Sequence, residues 1–368
     1  MVDAGRDPIE HDYAVPPGET LRETLEAIGM SQVDLARRAD LSTKHVNQII
    51  QGEAPITPDT AMALERVVRV PARIWNSLEA NYQAQRIRVA QRRRLEANDL
   101  AWLKRFPTAE LVRRKMIPGS NDAHLLYDQI LGFFGVASRN AWEKWWLSPD
   151  AAFRQSPAFQ ADEFSVATWL RLGELEAAAI ETEPFDRASF REALDGARAL
   201  MTREPAEFFP AIVELCAQAG VALVVVSEVK GARASGASRW ASPSKAIVQL
   251  SLRHRWEDHF WFSFFHEGAH VYLHGKRQAF VDLPAMSEAG GTVDGELEAE
   301  ANRFAADILI PRSEAVVLKD LGSRAEIVEF AEGLGIPPGV VVGRMQREGY
   351  LPWHVFNDLR RRFALAED

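Results

Sequence analysis

The segment WFSFFHEGAHVYLH, residues 261–274, places three histidines and a glutamate inside one of the most apolar stretches of the chain. His266 and His270 are four residues apart, so on a helix both imidazoles leave the same face and can share one metal ion. Glu267 lies about 100° further round such a helix, close to the ion without being a ligand. This position suits a base that takes a proton from an attacking water.

The neighbouring aromatic residues predict that this helix is buried against strands. Two buried histidines that only hydrogen-bond to their surroundings are the alternative to a metal site, and a third ligand would decide between the two interpretations. The segment DGELEAEANRFAADILIP, residues 294–311, predicts a helix from about Glu296 to Ile310. On it, Glu298 faces the core and is the carboxylate best able to reach the metal, whereas Glu300 belongs to the solvated face. Asn302, one turn on, is expected to bond a ligand imidazole.

Together these two segments closely resemble the ImmA/IrrE zinc metallopeptidases over roughly residues 220–310. The resemblance implies a small gluzincin-like zinc fold that cleaves a protein, usually a repressor encoded nearby. By motif position it assigns His266, His270 and Glu298 as zinc ligands and Glu267 as the catalytic base. It leaves His274, on the same face, as a second-shell or structural residue, because another ligand would close the water position.

Strands are predicted within VALVVVSEV, residues 221–229, and KAIVQLSL, residues 245–252, with Pro and Gly between them. We expect the substrate peptide to lie along an edge strand near residues 246–250. A further group that stabilises the oxyanion is expected, and the sequence does not choose among its candidates: Tyr272, His259, His254 and Arg233. Paired short helices around Gly335 resemble a wing-like element after the peptidase core, which we expect to pack or to dock substrate.

Near the N terminus, residues 30–57 read MSQVDLARRADLSTKHVNQIIQGEAPIT. Ser31 is a good N-cap for a first short helix, and Ser42 or Thr43 for a second that Gly52 can end. This is helix-turn-helix spacing, and flanking helices complete a five-helix domain. The second helix exposes polar side chains able to contact phosphates and base edges in a major groove: Thr43, Lys44, His45, Asn47 and Gln48. A helical hairpin that binds protein is the alternative.

The segment from Ser31 to Val67 resembles the helix-turn-helix of XRE-type repressors and, within them, the HigA-type antitoxins. That family binds operator DNA as a dimer, so the resemblance implies operator DNA and a second copy of the chain as partners. By motif position it carries DNA contacts over to Gln32, Thr43, Lys44, Asn47 and Gln48.

We therefore predict a mainly helical α+β fold with three segments. Residues 1–95 form the helix-turn-helix domain, residues 96–205 a helical linker region, and residues 206–368 the peptidase domain with a short sheet and a C-terminal helical element. The tryptophans of the middle segment have helical spacing and are expected to belong to the core.

Composition narrows the classes of function. The chain has 368 residues, 47% of them hydrophobic, and a net charge of −9, which argues against a protein that coats nucleic acid. Its single cysteine, Cys216, cannot build a cysteine-rich metal site. There is no apolar run long enough for a membrane and no export signal, so we expect a cytoplasmic protein.

Three functions remain open. The first is a DNA-binding zinc endopeptidase that cleaves a repressor or antitoxin. The second is a regulator or antitoxin, in a stress-response or toxin–antitoxin system with a cognate toxin, whose peptidase fold senses without cleaving. The third is a non-catalytic scaffold, which the complete set of His266, Glu267, His270 and Glu298 disfavours.

Overall fold

The computed structural model describes residues 14–92, 95, 97–147, 162–251, 255–274, 280–282 and 293–363. The chain forms two compact units, Met1–Leu100 and Ala101–Asp368. It is mainly helical with one small sheet, which confirms the predicted fold class. Among the helices of the described ranges, none combines the length and the apolar character that a membrane span requires.

The first unit contains the five helices expected from the sequence. They are α1 (Pro17–Ala27), α2 (Gln32–Ala39), α3 (Thr43–Ile50), α4 (Pro58–Val68) and α5 (Ala72–Arg92). Helices α2 and α3 pack against each other, and α1 and α4 cover them.

Local sequence chemistry sets where the helices of this pair begin. The Ser31 hydroxyl accepts a hydrogen bond from the Asp34 amide, and the Ser42 hydroxyl accepts one from the His45 amide, each at 3.1 Å. Gly52 has a φ of +71°, the left-handed conformation predicted after the second helix. The core of this unit is apolar and fully buried at its centre, including Leu21, Leu35, Val46, Ile49 and Trp75.

The second unit begins with short helices and continues with longer ones. Helix α6 (Ala97–Leu103) begins in the first unit and ends in the second. Before the sheet then come α7 (Thr108–Arg113), α8 (Ala123–Phe134), α9 (Arg139–Trp146), α10 (Glu163–Ala178), α11 (Arg187–Ala199) and α12 (Pro205–Gln218). Helix α13 (Glu257–Leu273) lies between the third and fourth strands in the chain. Four helices follow the last strand: α14 (Val293–Leu309), α15 (Arg312–Ala315), α16 (Arg324–Leu334) and α17 (Pro338–Arg347). Helix α14 begins slightly earlier than the sequence suggested.

Four strands form one sheet in the order β1-β3-β2-β4. They are β1 (Val221–Val225), β2 (Gly236–Ser242), β3 (Lys245–Leu250) and β4 (Phe280–Asp282). Strand β3 pairs parallel with β1 and antiparallel with β2, and β2 pairs antiparallel with β4.

Each face of the sheet is covered by a different apolar core. Alternate residues of a strand point to opposite faces. Val221 and Leu223 accordingly join the core that contains α13, while Ala222 and Val224 join the core that contains α10. Four tryptophans of the middle segment lie in this second core: Trp102, Trp142, Trp146 and Trp169. Trp145 does not belong to the core, because it is 72% exposed.

The sheet differs from the sequence expectation in two ways: one strand was missed, and the expected edge strand lies at the centre. Strand β2 was not predicted, because glycine and polar residues hide its apolar face; only its pairing with β3 reveals it as a strand. Strand β3, residues 245–250, is central rather than an edge, since it is paired on both sides. A peptide cannot pair with its backbone there.

Helices from the segment expected to be a linker, residues 96–205, belong to the second unit. Helix α10 contacts β1 and β3, and α11 contacts α13 and α14. Because α10 packs directly on two strands, the segment contributes to the burial of the sheet. The boundaries of the three predicted segments as independently folding domains remain a prediction.

Candidate metal centre

Helix α13 carries the histidine motif through the middle of the second unit. Trp261, Phe264 and Phe265 are fully buried in the core beside the sheet. Burial of these rings draws this part of the helix inside, and His266 and His270 are each only 2% exposed. The aromatic setting of the motif therefore holds two imidazoles in a dry and rigid environment.

Helix α14 packs along α13 and brings a carboxylate to both imidazoles. The Nε2 atoms of His266 and His270 are 3.1 Å apart. The Glu298 carboxylate lies 3.2 Å from the first through Oε2 and 3.3 Å from the second through Oε1. All three side chains are buried and converge on one point.

The chemistry of this donor set fits a tetrahedral cation. Bonds of about 2.0–2.1 Å from zinc to nitrogen or oxygen place neighbouring ligand atoms about 3.3 Å apart in a tetrahedron. The three separations across His266, His270 and Glu298 are 3.1, 3.2 and 3.3 Å. Two imidazoles and one carboxylate are also a ligand set that zinc takes at catalytic sites, where one position stays open.

The same environment favours the protonation states that bind a metal. Burial lowers the pKa of His270 to about 4, which leaves its imidazole neutral at pH 7. Burial alone would raise the pKa of Glu298, but its hydrogen bonds with His266 and His270 outweigh this and lower the pKa to about 2. A neutral imidazole at His270 and an ionised carboxylate at Glu298 are ready to act as ligands.

His274 holds the ring of His270 from the opposite side. The Nδ1 atoms of the two rings are 2.9 Å apart, and the Nε2 atom of His274 is 3.3 Å from Glu300 Oε2. His270, His274 and Glu300 thus form a relay of side-chain contacts. Glu300, which was expected to face solvent, ends this relay and remains partly exposed. The sequence predicted that Asn302 contacts a ligand imidazole. In the structure His274 makes such a contact, to His270. Asn302 lines the wall of a cleft.

Glu267 is completely buried beside the triad. A Cβ atom added at Gly236, the first residue of β2, would lie 2.5 Å from Glu267 Oε1. Only glycine leaves room for the carboxylate at this point of the sheet. Gly236 has no local sequence signal, because its role depends on strand β2, which sequence periodicity does not reveal.

An open cleft of about 800 Å³ reaches His266 and Glu298. Its walls include residues of α13, α14 and α17, so the C-terminal helical element borders the metal centre. Of the oxyanion candidates, His259 lines this cleft. Tyr272 instead packs against Phe304, Arg233 is exposed, and His254 lies outside the described residues.

The proposed DNA contacts lie on one helix and one helix start of the first unit. Thr43, Lys44 and Asn47 are exposed on α3, and Gln48 is half-buried on it. Gln32, the first residue of α2, is also half-buried. The arrangement leaves these polar groups accessible while Val46 and Ile49 turn inward.

Two known protein families match the two regions described above, the helix-turn-helix and the metal centre. Residues 21–75 match the family described as Helix-turn-helix, and residues 223–345 match the IrrE N-terminal-like domain. The chain thus joins a helix-turn-helix region, a type of domain that binds DNA, to a metallopeptidase-like domain.

Two individual proteins are similar to part of the chain. Virulence-associated protein I of Dichelobacter nodosus is 36% identical over 70 residues, which are 19% of this chain and 65% of that protein. A solved structure of an addiction module antidote protein of a HigA family from Coxiella burnetii has 31% sequence identity, with a TM-score of 0.19. That similarity covers 20% of this chain and 80% of the solved one.

Proposed function

We propose that this chain, with its helix-turn-helix region and its IrrE-like domain, is a cytoplasmic DNA-binding regulator and a zinc-dependent endopeptidase. Its substrate is a protein partner such as a repressor or antitoxin. The observation that carries the proposal is the buried triad of His266, His270 and Glu298 at a cleft, with the Glu267 carboxylate next to it in the helix.

His266, His270 and Glu298 would hold the zinc, and His274 would keep the His270 ring in its orientation. When bound, zinc supplies Lewis-acid polarisation of a peptide carbonyl and lowers the pKa of water. Glu267 accepts the proton of the attacking water at a carboxylate oxygen and later delivers it to the leaving amine. Burial of Glu267 excludes competing water from this transfer.

We place the substrate backbone at β4 rather than at β3. Strand β4 pairs with β2 and lies at the end of the strand order, so its other side is open to an added strand among the described elements. Gly236 pairs with Asp282 of this strand and also adjoins Glu267, which links the edge to the proposed base.

The alternative is an antitoxin-like regulator that binds operator DNA and a cognate toxin, while its peptidase-like domain senses a ligand or partner without cleaving it. Both functions predict that the chain binds operator DNA. They differ only in whether a peptide bond is broken and whether Glu267 is needed for that.

The test compares the full chain with its Glu267→Gln variant. Purified zinc-loaded protein is incubated with the products of the neighbouring genes and with a peptide mixture made from a whole proteome, and new termini are identified by mass spectrometry. The same variants are followed in stressed cells, where a missing signal would be supplied. Glu296→Gln, an exposed change in the same helix as Glu298, is the control.

We expect cleavage by the unsubstituted chain and by the control, and a loss of about 100- to 10,000-fold in Glu267→Gln, the usual contribution of a general base. Equal loss of the target in cells with both proteins, while zinc is retained, would contradict the peptidase and favour the sensing regulator.

A further inference from the structure

Three arginines face the cleft that reaches His266 and Glu298. Arg303 comes from α14, and Arg344 and Arg347 come from α17. We call these three side chains the cationic wall. It stands out because the chain as a whole is acidic, with a net charge of −9.

Two of the carboxylates that line the cleft have partners outside the cationic wall. Glu298 lies between two imidazoles, and Asp258 is held by Arg360 through two hydrogen bonds of 3.0 and 2.8 Å. Arg360 is buried and does not belong to the lining. Glu348 also lines the cleft, and it forms an ion pair with Arg344 of the cationic wall.

This ion pair shows that the wall already receives a carboxylate. Glu348 follows Arg344 by four residues and lines the same cleft, so the occupant belongs to the chain. The two side chains are partly exposed, and ion pairs four residues apart on a helix are weak. Arg344 can therefore change partners when a substrate enters.

Aromatic side chains keep part of the wall in place. The Arg347 guanidinium lies 4.6 Å from the centre of the Phe262 ring, and Phe262 also stacks on His266 with ring centres 6.0 Å apart. A guanidinium fixed on a ring loses less entropy when it binds an anion. The exposed indole of Trp353, at 65% exposure, adds an apolar surface beside it.

The geometry points to a carboxylate-binding subsite: the cationic wall selects peptides that carry an acidic group near the bond at the metal centre. The group is an aspartate or glutamate side chain of the substrate or its C-terminal carboxylate. This inference rests on the proposed function for its peptide substrate. It adds Arg303, Arg344 and Arg347 as specificity-determining residues.

Binding of labelled peptides to the full chain tests the subsite without cleavage. The zinc-loaded Glu267→Gln protein is titrated into three fluorescein-labelled peptides and anisotropy is measured. The first is a short alanine and leucine peptide with internal glutamates and an amidated C terminus, the second has glutamine in place of glutamate, and the third is the glutamine peptide with a free C terminus.

We expect the glutamate peptide, the free-terminus peptide or both to bind about fivefold tighter than the neutral peptide, as for partly solvated charge pairs. The peptide that binds more tightly shows whether the subsite prefers a side-chain carboxylate or a C-terminal carboxylate. The preference should fall at high salt, and in the Arg303→Gln/Arg344→Gln and Arg347→Gln variants.

Two further variants sharpen the result. Glu348→Gln frees Arg344 from its own carboxylate, so the preference for an acidic peptide should increase. Arg203→Gln, an exposed change outside the cleft lining, should leave it unchanged. Circular dichroism of each variant reports whether it is folded.

Equal affinity for charged and neutral peptides would overturn the inference, as would a preference that the wall variants leave intact or no binding by any peptide. A carboxylate preference in a chain that never cleaves would support the subsite and contradict only the peptidase.

Discussion

His270 makes contacts through both ring nitrogens, and the two sides have different roles. Its Nε2 atom meets His266 and Glu298, while its Nδ1 atom meets His274. One ring nitrogen can coordinate a cation only when the other is held in a compatible tautomer. Glu300, at the end of the relay, biases His274 toward donating to its carboxylate.

The first prediction concerns metal content. Purified protein should hold about one zinc per chain, and His266→Ala or His270→Ala should lower zinc affinity by at least about 100-fold, because loss of even an outer partner costs about 10- to 100-fold. Glu267→Gln should retain zinc. Metal content after dialysis against a chelator of graded strength is the measurement.

His354→Ala, which removes an exposed histidine outside the triad, serves as the control for this series. Full zinc content in both triad variants would contradict the assignment of the ligands.

Helix α17 lies close to the start of α13 because two glycines face it. A Cβ atom at Gly339 would lie 2.9 Å from Glu257 Oε1, and one at Gly343 would overlap Asp258 Oδ2. Asp258 has little freedom to move away, since Arg360 binds its carboxylate in a buried pair. The two glycines thus set the distance between α13 and the helix that carries the cationic wall.

The second prediction follows from this contact. Gly343→Ala should destabilise the second unit by about 1–3 kcal/mol, the range for overpacking in a tightly packed interior. Gly333→Ala is the matched control, because an added Cβ there meets nothing within 4 Å and α16 gains helix propensity. Urea unfolding followed by circular dichroism compares them; equal midpoints would mean that α17 can shift freely.

The third prediction concerns pH and the capping box at the start of α16. Hydrogen bonds from the Gly322 and Ser323 amides lower the pKa of Glu326 below its usual 4.5. Since the folded state prefers the ionised form, this contribution is present above the unfolded pKa and is lost as pH falls through the folded one. Glu326→Gln should therefore lower the unfolding midpoint at neutral pH and have little effect in strong acid.

Glu329→Gln, an exposed change on the same helix outside the cap, should have no such pH dependence. A difference between Glu326→Gln and the unsubstituted chain that persists unchanged into strong acid would rule out the carboxylate as its source.

The helix-turn-helix unit has an apolar core of its own, and the unit with the metal centre contains the two cores on either side of the sheet. The first unit buries Leu35, Val46 and Trp75 completely among its own helices. Such a core is sufficient for a small helical domain to fold without the rest of the chain.

The fourth prediction is that a fragment of residues 1–100 binds DNA as a dimer. Affinity for DNA from upstream of its own gene should fall steeply with salt through counterion release. Lys44→Ala should weaken binding to that DNA and to random DNA alike. Asn47→Ala and Gln48→Ala should each reduce the discrimination between them by about 1–3 kcal/mol.

Gel shifts over a series of salt concentrations, with sedimentation for the dimer, provide the measurement. Glu23→Gln, on the exposed side of α1, is the control. A folded fragment without any salt-sensitive binding would mean that the two helices form a protein-binding hairpin.

The features that the sequence alone determined are those encoded within one element. Serine caps and apolar periodicity identified α2 and α3, and the four-residue spacing of His266 and His270 put both rings on one face. The position of Glu298 on its own helix also followed from periodicity. These signals are local, because helix geometry relates only residues a few positions apart.

Only the tertiary structure decided which distant segments meet. Strand β2 exists through its pairing with β3, and this pairing places β3 in the centre of the sheet and Gly236 against Glu267. The cationic wall likewise combines Arg303 of α14 with Arg344 of α17. Strand order and helix packing depend on the burial of surfaces from remote parts of the chain, which no local periodicity records.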